Sequence, residues 1–525
     1  MAAKSKTGRP RVSAVPSSVP AKSHPPKTGS PPEAPGREII DMNEAIALLA
    51  TTQPTFYRWL RTGKIKGMKV GRQWRFYRDD IERFLTGEAP PLVLPAAIAP
   101  FIESLSERLK AVHAAIPPKE DANEIRHANL LMIALGATTD ASDIHITSHM
   151  TADSAQPVTV VRYRVDFHLH EVARLDTRLL PLVVEDWKRM AGCDVRETQA
   201  PQVGRIIMDW VKLSGAKKTG NVDLLASFVP TALGESLTVR ILVSASRAFS
   251  LDRIGYSAGV RDRISRALKM PFGVILCTGP TGCGKTTALY SCISELAQPD
   301  TKIMTVEDPV EYFLPWATQI AIKEAAGVTF QRAFRAIMRS DPDVIMVGEI
   351  RTAEILTMCQ MAATTGHLVL SALHMSEAVG ALRRMLDMCA DAFLVADSTR
   401  LILAQRLVRK LCTSCSVASP PDGDALDRAA RLALKGGLNW HSTTPTWKKA
   451  VGCDKCSLTG YKGLMVCAEA LEVTPEIKSA LRNGATDDEL LAIAVGQGMA
   501  TMAADGIHRA AAGETTLDEV LRVLG

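Results

Sequence analysis

Large apolar residues are almost missing from the first part of the chain, where Pro, Ser, Lys and Gly dominate. Such a segment cannot bury enough surface to offset its ordering entropy, and residues 1–36 read as a disordered tail. Over 37–87 the apolar positions take a helical period. MNEAIALLA places Ala45, Leu48 and Leu49 on one face, and TTQPTFYRWLRTGKI predicts a turn and a second helix, with Pro54 near its start and Gly63 beyond its end. KGMKVGRQWRFY predicts a hairpin around Gly71 and Arg72, and RDDIERFL a closing helix. Residues 88–117 read as a linker with one charged helix, FIESLSERLKAVHAA, between proline clusters. Over 118–246 alternation in VTVVRYRVDFHL and ESLTVRIL predicts the strands of an α+β domain. From 247 to 525 the apolar runs become short and unbroken. Val274–Cys277, the start of KIMTVEDPVEYF (Lys302 to Phe313), Val344 to Val347 and Leu368 to Leu373 alternate with helical stretches, as in an α/β domain on a buried parallel sheet.

The first of those runs is followed by GPTGCGKTT, Gly279 to Thr287, and then by a helical stretch. Strand, glycine-rich turn and helix are the context of a phosphate-binding loop. Gly279, Pro280, Thr281, Gly282, Cys283 and Gly284 form the turn, whose backbone N–H groups and helix N-terminus face an anion. Lys285 supplies a point charge for the β/γ-phosphates. The Thr286 hydroxyl is placed to ligate Mg²⁺, with Thr287 beside it. The reading is that the chain binds ATP or a close relative. Carboxylates (Glu307, Asp308, Glu311 and Glu349) and the histidines His367 and His374 flank the other strands, where groups at carboxyl ends converge on one ligand.

Composition changes this picture little. A length of 525 residues suits roughly three or four domains, and 46% apolar with 22% charged residues is ordinary for a globular protein. A net charge of +6 does not by itself point to nucleic acid. The longest apolar stretch, PPLVLPAAIAPFI, is short and broken by prolines, and MAAKSKTGRPR lacks a signal-peptide core. Eleven cysteines, an odd count, suggest reduced thiols in a cytosol. Four of them pair as CxxC, Cys412 with Cys415 and Cys453 with Cys456. Four thiolates so spaced suit tetrahedral zinc in a module over about 405–470. A redox pair is the alternative, without the usual strand-CxxC-helix context.

TFYRWLRTGKIKGMKVGRQWRFYRDDIERFL resembles the excisionase-type winged helix-turn-helix. The resemblance implies that Thr55, Tyr57, Arg58 and Arg61 face DNA, with Lys69, Arg72 and Arg75 on the wing. A module that docks a protein is the alternative. GPTGCGKTT, TVEDPVEY, DPDVIMVGEIR and TGHLVLSALH, with ASDIHI, AGCDV, AQRLVRKLC and GYKG, resemble the secretion ATPases of type II secretion and type IV pilus assembly. The fold so implied is a P-loop RecA-like motor domain, preceded by the α+β domain and the small N-terminal winged helix-turn-helix.

The same resemblance implies roles. Glu311 orients or deprotonates the attacking water, and Glu349 ends the Walker B strand and holds Mg²⁺. His367 and His374 sense the γ-phosphate, and Arg205 and Arg240 act as arginine fingers. Leu225, in VDLLAS, stands where the family has arginine; Ser340, Thr352 and Met375 are smaller departures. ATP, Mg²⁺ and Zn²⁺ are the implied cofactors. A homo-oligomer, a hexamer, on the cytoplasmic side of an inner-membrane platform protein is the implied assembly. A DNA-binding NTPase or ATP-responsive regulator, with DNA held by residues 37–87, is the rival reading.

Overall fold

The structure, a computed structural model, describes residues 38–61, 65, 67–71, 73–86, 92–119, 123–151, 154–209, 221–242, 249–389, 391–438 and 445–525. The expected tail over 1–36, Gly63 and Arg72 lie outside them. Two compact units divide between Val93 and Leu94.

In the first unit, Asp41 caps the helix Met42–Leu48. Its Oδ1 accepts from the N–H groups of Asn43 and Glu44 at 2.8 and 3.0 Å, and Glu44 Oε2 accepts from Asp41 N–H at 2.8 Å. The helices Gln53–Arg61 and Arg78–Thr86 follow as expected, on either side of a hairpin of Met68–Val70 and Gln73–Tyr77. Gly71 turns that hairpin at a φ of +65°. A strand that the sequence did not announce, Ile39–Asp41, adds to the Gln73–Tyr77 edge. Phe56 and Phe76 meet edge-on at 5.1 Å in the core beneath.

The second unit begins earlier than expected. The helix assigned to the linker spans Ala99–Ala111 and buries Phe101, Leu105 and Leu109 against the helix Glu124–Thr138 and the strand His168–Leu175. Those three recur every fourth residue, a stripe that needs a partner, so the helix belongs to the α+β domain. That domain is a six-stranded antiparallel sheet. Its order is His168–Leu175, Ser154–Val165, Asp143–Thr151, Gly234–Leu242, Asn221–Thr231 and Gln202–Asp209. The run VTVVRYRVDFHL spans two of these strands, which part where Asp166 and Phe167 turn at positive φ.

The motor sheet has seven strands in the order Ala317–Ala321, Ile303–Glu307, Val344–Val347, Leu368–Leu373, Gly273–Thr278, Thr399–Leu411 and Tyr461–Glu472. All pairs are parallel except the last, which is antiparallel. Every residue of Gly273–Thr278, Val344–Val347 and Leu368–Leu373 is buried, which explains why these strands read as unbroken apolar runs. Register brings their carboxyl ends level, with Thr278 beside Leu373, Ser371 beside Val347 and Val347 beside Val306. The residues that follow therefore share one edge of the sheet.

Candidate active site

Gly279–Gly284 leaves the strand Gly273–Thr278 and enters the helix Lys285–Leu296. At Gly279 φ is +148°, and a Cβ would lie 2.4 Å from Cys283 Sγ and 2.6 Å from the Gln405 carbonyl oxygen. Only glycine fits there. Gln405 locks the loop from the next strand: its Nε2 donates to the Cys283 carbonyl at 2.8 Å, and its Oε1 accepts from the Tyr256 hydroxyl at 2.6 Å. Cys283 is buried, and burial pushes its thiol up, which suits packing rather than reaction.

Lys285 Nζ donates to the carbonyl oxygens of Gly279 and Pro280 at 2.8 and 3.0 Å and reaches His374 Nδ1 at 3.3 Å. An ammonium has no lone pair, so Nδ1 accepts and the imidazole proton sits on Nε2. That Nε2–H meets Glu349 Oε1 at 2.6 Å. The other Glu349 oxygen accepts from Arg351 Nε at 3.3 Å, and Arg351 Nη1 reaches Asp308 at 3.1 Å. A continuous row therefore links the phosphate loop to the ends of three strands. His374 is held at its post by Thr278, whose Oγ1 donates toward the Leu373 or Met375 carbonyl, each at 3.0 Å, and accepts from Met375 N–H at 2.9 Å.

Glu311 comes from the loop after Ile303–Glu307 and hydrogen-bonds the Thr286 hydroxyl. Burial pushes its carboxyl above the ordinary value, against the pull of Arg240 and of that hydroxyl. Glu307 takes no part. Its buried carboxylate is consumed by Tyr290, by Thr305 at 2.6 Å and by Gln319 at 3.0 Å.

His367 is not brought to this site. It precedes the strand Leu368–Leu373 while His374 follows it, so the two lie roughly 20 Å apart at opposite edges of the sheet. His367 Nδ1 lies 3.0 Å from the Ala362 carbonyl oxygen at the end of the preceding helix.

The arginines of the α+β domain stand in one register row, Arg205 beside Leu225, Leu225 beside Arg240, Arg240 beside Asp143. Each is paired with a carboxylate, Arg205 with Asp223 at 2.5 Å and Arg240 with Asp143 at 3.2 Å. Leu225 lies between them, where the resemblance expects a further arginine.

Beside the loop is a cavity of about 560 Å³, lined among others by Phe249, Arg253, Thr287, Ser291, Tyr312 and Gln405. Ser291 Oγ is buried there without a hydrogen-bond partner among the described residues.

The four cysteines meet at the far end of the two antiparallel strands, Cys412 and Cys415 after Thr399–Leu411 and Cys453 and Cys456 before Tyr461–Glu472. Their sulfurs lie within 4.8 Å of one another, with separations of 3.9 Å for Cys412–Cys453 and 3.8 Å for Cys415–Cys456 and Cys453–Cys456. Four thiolates bound to one zinc ion at about 2.3 Å sit about 3.8 Å apart, so the donor set fits that ion. Burial opposes ionisation of Cys456, but N–H groups of Cys453 and Gly460, each 3.2 Å from its sulfur, help bring the thiol down to about 6. The long intervening loop folds as the helix Gly423–Lys435, whose Ala425, Ala429 and Ala433 pack with Ile507, Leu517 and Val520 of the C-terminal helices.

Glu311, Lys285 and Thr286 were readable as site residues from local motifs. Gln405, Tyr256 and Arg351 were not singled out for a role. AQRLVRKLC and GEIR contain two of them, but the partners that give them meaning are distant in sequence.

Residues 119–522 match the type II/IV secretion system protein family, and residues 40–89 match a helix-turn-helix domain. Type II secretion system protein HxcR of Pseudomonas aeruginosa is 37% identical over 438 residues, covering 83% of this chain and 85% of that one. Type IV pilus assembly ATPase PilB of Thermus thermophilus is 38% identical over 384 residues, covering 73% of this chain and 41% of that one. Among solved structures, the Legionella pneumophila ATPase DotB superposes with a TM-score of 0.53 at 18% identity, over 78% of this chain and 97% of that one, which speaks for the fold. The chain belongs to the type II/IV secretion system protein family, as an ATPase with a helix-turn-helix domain ahead of the shared part.

Proposed function

We propose that the chain hydrolyses ATP in the cytoplasm, at the face of the inner membrane, and powers type II secretion or type IV pilus assembly. The observation that carries this is the meeting of Lys285, Thr286, Glu311, Glu349 and His374 at the carboxyl edge of one parallel sheet. In this reading the amides of 279–287 and Lys285 take the phosphates. On binding, Lys285 exchanges two carbonyl oxygens for phosphate oxygens. Glu311 holds the attacking water and accepts its proton, and His374 reports the γ-phosphate to Glu349. Thr286 and Glu349 would hold Mg²⁺, which supplies charge compensation for the phosphates. Arg240, whose charge already acts on Glu311, is the arginine nearest to a finger role. The cavity beside the loop is the space for the base, with the Ser291 hydroxyl facing it.

Cys412, Cys415, Cys453 and Cys456 would hold zinc, which stiffens the module. A homo-oligomeric ring, a hexamer, acting on an inner-membrane platform protein completes the proposal. No helix among the described residues is long and apolar enough to cross a membrane, which is compatible with peripheral attachment. Glu311→Gln should lower ATP hydrolysis by about 100-fold or more while nucleotide binding persists. Equal rates for the two proteins would refute the assignment.

A second reading concerns the helix-turn-helix unit alone. No Asp or Glu occurs between Ala45 and Arg78, while seven Lys or Arg fall from Arg58 to Arg75. Among the described residues the unit's acids are engaged away from that stretch. Glu38 and Glu82 pair with Arg78, Asp79 and Asp80 with Arg83, and Asp41 and Glu44 cap a helix. A cationic helix and wing of this kind suit the phosphates of duplex DNA.

A further inference from the structure

Arg205 sits on the edge strand Gln202–Asp209, and its guanidinium spans two domains. Nε and Nη2 close on Asp223 Oδ1 and Oδ2 at 2.9 and 2.5 Å. On the motor side Nη1 donates to the Val310 carbonyl at 2.9 Å and Nη2 to the Glu311 carbonyl at 2.8 Å. The Phe313 ring lies 5.1 Å from the guanidinium carbon. The main chain of Glu311 thus faces Arg205 while its side chain faces Thr286.

We infer that Arg205 is a positioning residue that sets Glu311 through its own main chain, with Asp223 aiming the guanidinium. This rests on the reading of Glu311 as the group that activates water. A finger must aim its charge at the phosphates. Arg205 commits its fork to Asp223 and to two successive carbonyls of the segment that carries Glu311, whereas the carbonyls that Lys285 meets belong to the phosphate loop itself. A planar fork can hold a carboxylate on one side and two carbonyls on the other; an ammonium cannot. Displacing the α+β domain from the motor would withdraw the fork and release the segment that carries Glu311. Hydrolysis is thereby tied to the arrangement of the two domains.

The test is a double-mutant cycle read as single-turnover ATP hydrolysis by the full chain. Arg205→Ala, Arg205→Lys and Asp223→Asn should each slow the reaction about 10- to 100-fold, because a misplaced catalytic group costs that much. In the Glu311→Gln background, Arg205→Ala should cost less than about twofold more, since the group it positions is already gone. Losses that multiply in that background would show Arg205 acting on the phosphates and overturn the inference. Wild-type speed for Arg205→Lys would overturn it as well, because charge alone would then suffice. Unchanged hydrolysis by Glu311→Gln would remove the reading of Glu311 and this inference with it. Arg205→Lys and Asp223→Asn keep the measurement open if Arg205→Ala fails to fold.

Discussion

In its proposed role Glu311 has to be ionised to accept a proton, and its carboxyl is pushed above the ordinary 4.5 chiefly by burial. Activity should therefore fall off on the acid side at a pH above the usual carboxylate range, measurable as kcat between pH 4.5 and 8. His374 and His367 separate through their variants. His374→Ala removes the contact between Lys285 and Glu349 and should slow hydrolysis at least tenfold, whereas His367→Ala should leave nucleotide affinity by calorimetry at the wild-type value. This difference was latent in the sequence. Six strand residues at about 3.3 Å each put the flanking histidines at opposite edges, so one phosphate cannot meet both. By contrast, the pairing of His374 with Glu349 depends on the register of neighbouring strands, which no local pattern reveals.

At the scale of elements, the tetracysteine module was legible because ligand spacing is a local property. Its setting was not: the helix Gly423–Lys435 and its C-terminal partners are joined by contacts far apart in sequence. Cys453→Ser should release about one zinc per chain and lower the melting temperature, checked by metal analysis and calorimetry. Glu519, on the helix Leu517–Leu524, ties that region to the strand Thr399–Leu411. Burial opposes its charge, but Arg409 at 2.6 Å and Arg522 at 2.8 Å outweigh that and hold its carboxyl down at about 2. A depressed carboxylate contributes stability that is fully present above its ordinary value of 4.5 and is lost as pH falls toward 2. Denaturant midpoints measured through that window should fall for the wild type and flatten for Glu519→Gln.

For the whole molecule, the α+β sheet touches the motor at both of its edge strands. Arg205 meets the Glu311 segment at one edge, and at the other Arg409 Nη1 donates to His168 Nε2 at 2.9 Å. Gly463 N–H adds a bond to Asp166 at 2.9 Å. The order of the domains was readable from the change of apolar period along the chain. Their contacts were not, because each joins residues more than a hundred positions apart or lies between strands of different sheets. The helix-turn-helix unit is a compact body of its own. A chain lacking residues 1–93 should keep its ATPase rate within about twofold and lose any retention of duplex DNA. Retention by the full chain should weaken linearly in log affinity against log salt, as phosphate contacts require. Binding without a salt slope would speak for a protein-docking role.

In the proposed function this sheet edge hydrolyses ATP. The direct measurement is phosphate release by the purified full chain with ATP and Mg²⁺, in the presence of anionic vesicles, set against Lys285→Ala. Release by the wild type that vanishes in the variant is the predicted result. Release that is equal in the two, or none from either, would contradict it.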